Sequence, residues 1–289
     1  MRREARDVGG LSVIWSERDG APLLMLVRMA SRGACLWDPI WDRLGHHFSV
    51  VQFDLRMPST ADLDDPRRVF RGLAAQCVEV AAGLGHKRFH LFGWTGGTHV
   101  ALRCMADFPE QVASSLLLGP FWTLEDMRSP EKGFEFARAL VESGNLALYS
   151  YYWYMGGLSP GFVERNFDQV ERWAEQRNSG DAFLKRDPAQ ILKWMRALRG
   201  CWIEPPELAG NATPTLIIAH ALDPWHAGPS AAMARALHRH LPHARFELLE
   251  ELGSMAPIED PDRVYRAALP FYSAVLDKSV PEALARGGN

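Results

Sequence analysis

Phe89-His90-Leu91-Phe92-Gly93-Trp94-Thr95-Gly96-Gly97-Thr98-His99-Val100-Ala101 is the stretch on which the reading of this 289-residue chain turns. Arg88 to Gly93 is short, largely apolar and aromatic, and reads as a buried strand. From about Gly96 to Phe108 the pattern is helical, so only a sharp turn around Trp94-Thr95 separates the two elements. The small residues there have a physical reason: glycines flanking such a turn let strand and helix backbones approach closely and let the chain adopt angles forbidden to other residues.

Outward from this unit the same alternation recurs. Leu23-Leu24-Met25-Leu26-Val27 and Ser49-Val50-Val51-Gln52-Phe53 read as buried strands. Val69 to Leu84 has helical periodicity and stops at Gly85. Val112 to Leu118 is a strand ended by Gly119-Pro120. From about Phe121 to Leu208 no strand is evident; helical stretches dominate, punctuated by Pro160, Pro188 and Pro205-Pro206. Alternation then resumes with a strand at Pro214–Ala219, a helix at Ser230–Leu241, a strand at Arg245–Leu249 and a closing helix at Pro261–Leu276. Strands alternating with helices predict an α/β fold with a mostly parallel sheet covered on both faces, interrupted by an all-helical insertion. The expected division is residues 1–120 and 209–289 for the sheet domain and 121–208 for the insertion.

This order resembles the α/β-hydrolase superfamily with a helical cap, and the resemblance spans nearly the whole chain. Gly93-Trp94-Thr95-Gly96-Gly97 matches the family's G-x-S-x-G elbow between strand and helix, with threonine at the nucleophile position. Asp223, four residues past the strand ending at Ala219, falls on the loop that carries the family's acid. Gly253-Ser254-Met255-Ala256-Pro257, followed by Glu259-Asp260-Pro261, matches the segment that carries its histidine base. The resemblance therefore implies Thr95, Asp223 and Ser254 as the three catalytic positions, in the family's chain order.

Four departures accompany the match. Threonine replaces serine at a position whose backbone is usually forced to positive φ, an unfavourable region for a β-branched side chain. Serine replaces the base, and a hydroxyl nucleophile is weak without one; in subtilisin, a worked example of that principle, losing the base costs ~10⁶ in turnover. Where the family carries His-Gly after its first core strand, this chain reads Arg28-Met29-Ala30-Ser31-Arg32-Gly33. Where it carries D-x-R-G-x-G-x-S, the sequence is Asp54-Leu55-Arg56-Met57-Pro58-Ser59-Thr60-Ala61, with both glycines gone.

Each candidate has a plainer reading beside it. Thr95 is a nucleophile, a pocket-lining hydroxyl or a filler of the elbow. Asp223 moves protons, its carboxyl raised in a desolvated pocket, or merely caps the turn at Asp223-Pro224. His226, three residues further on, is the first candidate for a replacement base; His220 and His99 are others, against the rule that most of the ten histidines are structural or solvent-facing. Arg28 could clamp a carboxylate. Leu146 to Met155 holds four of the six tyrosines, and Tyr152 and Trp153 there are either the roof of an aromatic ligand site or cap-to-core packing. Trp94, Gly96, Trp122, Trp225, Met29 and Met255 complete the expected substrate-binding set.

Composition narrows the partners. A hydrophobic share of 47% can bury a sizeable core, and a net charge of -3 argues against nucleic acid or an anionic membrane as main partner. Neither a signal-peptide pattern nor an apolar run of about 18 residues is present, which leads to a cytoplasmic expectation. Cys35, Cys77, Cys104 and Cys201 show no C-x-x-C spacing and read as reduced thiols. No metal-ligand cluster, dinucleotide fingerprint or phosphate loop is present, so no cofactor or metal is expected. A small molecule is the expected partner, and a homo-oligomer is compatible with the sequence.

Three functions fit. The favoured one is a cofactor-independent lyase, cyclase, isomerase or decarboxylase acting on a mostly apolar carbonyl compound, as in secondary metabolism, with Asp223 and His226 moving protons. The others are an ester or thioester hydrolase or acyltransferase in which Thr95 attacks, and a binding protein without turnover.

Overall fold

The computed structural model describes residues 2–28, 37–53, 55–56, 65–120, 128–180, 189, 191–192, 203–222, 229–241 and 243–286. Their strands are β1 (Glu4–Val8), β2 (Leu11–Ser16), β3 (Leu23–Arg28), β4 (Ser49–Phe53), β5 (Phe89–Trp94), β6 (Val112–Leu118), β7 (Thr215–His220) and β8 (Arg245–Leu249). These form one 8-stranded sheet in the order β1-β2-β4-β3-β5-β6-β7-β8. β1 and β2 pair antiparallel, as do β2 and β4, and every other pairing is parallel.

The period-2 alternation of the central strands sorts side chains onto two buried faces. Leu24, Leu26, Phe92, Trp94, Leu116, Leu118 and Ile218 share one face with α1 (Asp38–Gly45) and α11 (Pro261–Arg286). Leu23, Met25, Val27, Leu91, Leu117, Ile217 and Ala219 share the other with α2 (Pro66–Gly83), α3 (Gly97–Asp107) and α9 (Pro229–His240). Burial on both sides explains why these strands read as continuous apolar runs.

Between β6 and β7 the described elements are helical: α4 (Arg128–Glu142), α5 (Leu146–Gly157), α6 (Pro160–Arg165), α7 (Phe167–Gly180) and the short α8 (Pro205–Leu208). α8 is fixed to α3 by the buried Arg103, which donates to Glu207 at 2.7 Å and to Asp107 at 3.4 Å. The short α10 (Ala256–Glu259) precedes α11. Among the described residues, no helix is long and apolar enough to cross a membrane.

The N-terminal hairpin has no counterpart in the sequence expectations. β1 is an edge strand of charged residues, mostly exposed. Its signal is Gly9-Gly10, at φ 59° and 78°, a two-residue turn with both centres left-handed. A second difference bears on function. The strands expected to end at Val27, Gly93 and Ala219 each run one residue further, because their ladders continue to the pairs Arg28↔Trp94 and His220↔Leu249. Arg28, Trp94 and His220 thus stand at the carboxyl edge of the sheet, where ligands of open α/β sheets bind.

Candidate active site

The site grows from the turn between β5 and α3. Thr95 has φ 47°, the single non-glycine residue at positive φ among the described residues. For a β-branched side chain this conformation costs about 1–3 kcal/mol, and the surroundings hold it. Thr95 N–H donates to the Leu118 carbonyl at 2.9 Å, and the Thr95 carbonyl accepts from both Thr98 N–H (2.9 Å) and the Thr98 hydroxyl (2.5 Å). A Cβ on Gly93 would stand 2.9 Å from the Gly97 carbonyl, and one on Gly97 would overlap the carbonyl of Val27. The glycines are needed where β3, β5 and α3 converge. Thr95 and Gly96 remain partly exposed while their neighbours on both sides are buried.

On the β3 side stands Arg28. Its Cα lies 3.1 Å from the place a Gly97 Cβ would take, and its guanidinium sits over the Trp94 ring, 5.1 Å from the centroid. Trp94, 2% exposed, packs edge-on against Trp37 at 5.2 Å and donates its indole N–H to the Ser254 carbonyl at 2.6 Å. It is therefore a buried strut between the elbow and the loop after β8, and its face serves the arginine.

Ser254 stands in that loop, but its hydroxyl turns to the inserted helices. It donates to the Gly157 carbonyl at the end of α5 at 3.3 Å, and the same carbonyl accepts from Met255 N–H at 2.9 Å. Gly253 is forced by this contact, since a Cβ there would lie 2.5 Å from Gly157 O and 2.9 Å from Ser159 N. Glu259 closes the junction: its carboxylate accepts from Gly253 N–H (3.0 Å), Ser159 N–H (3.1 Å) and the Ser159 hydroxyl (2.5 Å). Burial raises the Glu259 carboxyl above its usual range, and those donors oppose the rise. Met255 is buried beside Tyr154 and Leu158 in the same cluster. The junction was not foreseen from the sequence, although Glu259 and Ser159-Pro160 were in plain view; nothing local says that two loops 100 residues apart will meet.

The aromatic run of α5 divides. Tyr149 and Tyr154 are buried, at 2% and 1%, and are packing residues. Tyr152 and Trp153 are half-buried against the α2/α3 face; Tyr152 meets Phe136 edge-on at 4.9 Å, and burial, then Tyr149, pushes its hydroxyl up to about 12.

Of the histidines, His99 is enclosed in α3 with its ring edge-on to Phe70 at 6.1 Å. His220 ends β7 and is 2% exposed. Its imidazole lies over Gly119, which follows β6 at φ 60°: a Cβ on Gly119 would come within 3.0 Å of His220 Cδ2 and closer still to Nε2. Burial lowers both imidazoles to about 4, so they are neutral near pH 7. Met29, Trp122, Asp223, Trp225 and His226 lie outside the described residues, as do Cys35 and Cys201. Among the described residues, Cys77 and Cys104 are buried free thiols, and no group of three or more His, Cys, Asp or Glu side chains could hold a metal ion.

Comparison with known proteins adds to this geometry. Residues 30–267 match the family model described as "Alpha/beta hydrolase family". The pyrrolizixenacetamide deacetylase of Xenorhabdus hominickii is 26% identical over 250 residues, 85% of this chain and 87% of that protein. Among solved structures, MGS-M2, an α/β hydrolase enzyme from a Medee basin deep-sea metagenome library, superposes with a TM-score of 0.75 at 14% identity, covering 93% of this chain and 97% of its own. The 2-hydroxy-6-oxo-6-phenylhexa-2,4-dienoate hydrolase of Rhodococcus sp. strain RHA1 gives 0.74 at 18% identity, covering 94% and 98%.

Proposed function

The chain belongs to the α/β-hydrolase family, and from that premise we propose that it hydrolyses an acyl bond, an amide or ester, of a small and mostly apolar molecule, with Thr95 as nucleophile. The observation that carries the proposal is the left-handed backbone of Thr95. A threonine that merely filled the turn would gain nothing from this strain, and glycine would fill it without cost. Strain kept, among the described non-glycine residues, at one partly exposed residue that bears a hydroxyl is the pattern of an elbow that presents a nucleophile. The 26% identical deacetylase supports the same reaction class.

In this reading the carbonyl of the substrate sits above Thr95. Its oxygen, negative in the tetrahedral intermediate, is stabilised by main-chain N–H groups of the elbow and by the Arg28 guanidinium stacked on Trp94. The helices described between β6 and β7 belong to the proposed cap, and Tyr152 and Trp153 lie on the one that ends at the Ser254 loop. One observation favours a second reading. The Ser254 hydroxyl is held by Gly157, so the familiar base position supplies no proton acceptor. A lyase or isomerase that needs only proton transfer would fit that loss.

Intact-protein mass spectrometry after exposure to a fluorophosphonate, with peptide mapping, separates the two. An adduct on Thr95 that is absent in Thr95→Ala is the expected outcome. An unlabelled wild type beside a fully labelled serine hydrolase would favour the proton-transfer reading.

A further inference from the structure

The carboxyl edge of the sheet places three features in strand order. Thr95 follows β5, Gly119 follows β6, and His220 ends β7. Adjacent hydrogen bonds fix their spacing: Thr95 N–H to Leu118 O at 2.9 Å, and Gly119 N–H to Ile218 O at 2.8 Å. Neighbouring strands of a sheet lie about 4.8 Å apart. Among the described residues, Gly119 opens β6's exit and lies in strand order between the threonine and the histidine. It also carries no side chain, and the space a side chain would take is filled by the His220 ring. Opposite, across the elbow, stands Arg28. The nucleophile position thus has a cation on the β3 side and an imidazole on the β7 side.

We infer that His220 is the general base of this site, reaching the Thr95 hydroxyl over Gly119 in place of the side chain missing at position 254. The inference rests on the proposed acyl hydrolysis. Burial lowers the imidazole to about 4, so near pH 7 one ring nitrogen is unprotonated and able to accept a proton, while burial also weakens it as a base. It takes the Thr95 Oγ1 proton as Oγ1 bonds to the acyl carbon and the carbonyl π pair moves to oxygen. The imidazolium returns that proton to the departing amine or alcohol as the carbon–heteroatom bond breaks. In the second half a water is deprotonated in the same way, adds to the acyl-threonine, and Thr95 leaves with the proton. Gly119 is a positioning residue: it contributes no atom to the reaction and makes room for the ring.

The test measures fluorophosphonate labelling rates of wild type, His220→Asn and His220→Gln, each checked for folding by circular dichroism. A labelled wild type together with at least ~100-fold slower labelling of both variants is expected, the lower range for loss of a general base. Imidazole at tens of millimolar should restore part of the rate in His220→Ala, whose vacated space it fits. Equal labelling of wild type and a folded His220 variant overturns the assignment while leaving Thr95 as nucleophile. An unlabelled wild type instead overturns the acyl-hydrolase reading on which it stands. Should every variant misfold, the ring ¹⁵N signals of wild-type His220 decide: they move on phosphonylation of Thr95 if the ring faces Oγ1, and unmoved signals overturn the assignment.

Discussion

The Ser254 hydroxyl donates to the main-chain carbonyl of Gly157. In a triad hydrolase this position points at the nucleophile; here it binds the loop after β8 to the end of α5. Ser254→Ala should therefore cost about 1 kcal/mol of stability, the worth of one hydrogen bond, and leave turnover within about threefold. Ser254→His should not create an active triad. A Cβ on Gly157 would stand 2.9 Å from Ser254 Oγ, which shows how little space the junction has for an imidazole. Thermal melts and steady-state kinetics on an acyl substrate check both. A Ser254→Ala enzyme inactive but as stable as wild type would return this serine to the chemistry.

Thr95 sets stability against function. Thr95→Gly removes the strain of φ 47° and adds backbone freedom to the unfolded chain. The strain is the larger effect, so the variant should be more stable by about 1 kcal/mol while losing all fluorophosphonate labelling. Thr95→Ser keeps the hydroxyl and sheds the methyl, and should label faster than wild type. Urea denaturation beside labelling kinetics gives both answers; a destabilised Thr95→Gly would mean that the threonine side chain supports the fold rather than the reaction.

At Gly97 the prediction is steric. Its missing Cβ would overlap the Val27 carbonyl, a backbone atom that cannot rotate away. Gly97→Ala should cost about 3 kcal/mol or more, the range of severe overpacking, and separate α3 from β3. Gly85→Ala is the comparison: its φ is 83° but nothing lies within 4 Å, so only backbone strain of about 1 kcal/mol is expected. A chemical-denaturation midpoint that falls equally in both would show that crowding at the elbow is not what demands glycine.

How much of this was visible in the sequence depends on range. β4, β6 and β8 match their expected bounds because burial on both faces or clear turn residues mark them. The elbow was legible because glycine, threonine and glycine follow a strand at fixed spacing. The N-terminal hairpin was not, because an edge strand carries no apolar pattern. The contacts of Ser254, Glu259 and His220 were not legible either. Each joins segments far apart in the chain, so no window of sequence contains both partners. The favoured function shifts for the same reason: position 254 read as a lost base suggests non-hydrolytic chemistry, whereas an imidazole at the end of β7 supports acyl transfer.

Acid should destabilise the fold through its buried imidazoles. His90, His99 and His220 are each lowered to about 4, with burial the largest cause, against 6.5 for a free histidine. Between these values the unfolded chain binds protons that the native state refuses, so stability is complete above pH 6.5 and falls as pH drops toward 4. At about 1.4 kcal/mol per pH unit, each contributes a loss of order 3 kcal/mol across that window. Glu259, raised by burial, works in the opposite sense because its native carboxyl takes up a proton more readily than the unfolded one. Glu207, lowered by its hydrogen bond with Arg103, and His47 and His86, lowered by burial, act with the three imidazoles, so the net direction is loss of stability in acid. Melting temperatures recorded from pH 8 to pH 4 should be flat at first and then fall steeply below about 6.5, and the fall should be shallower in His99→Gln. A curve flat down to pH 4 would mean that these rings are already protonated, or free to become so, within the native fold.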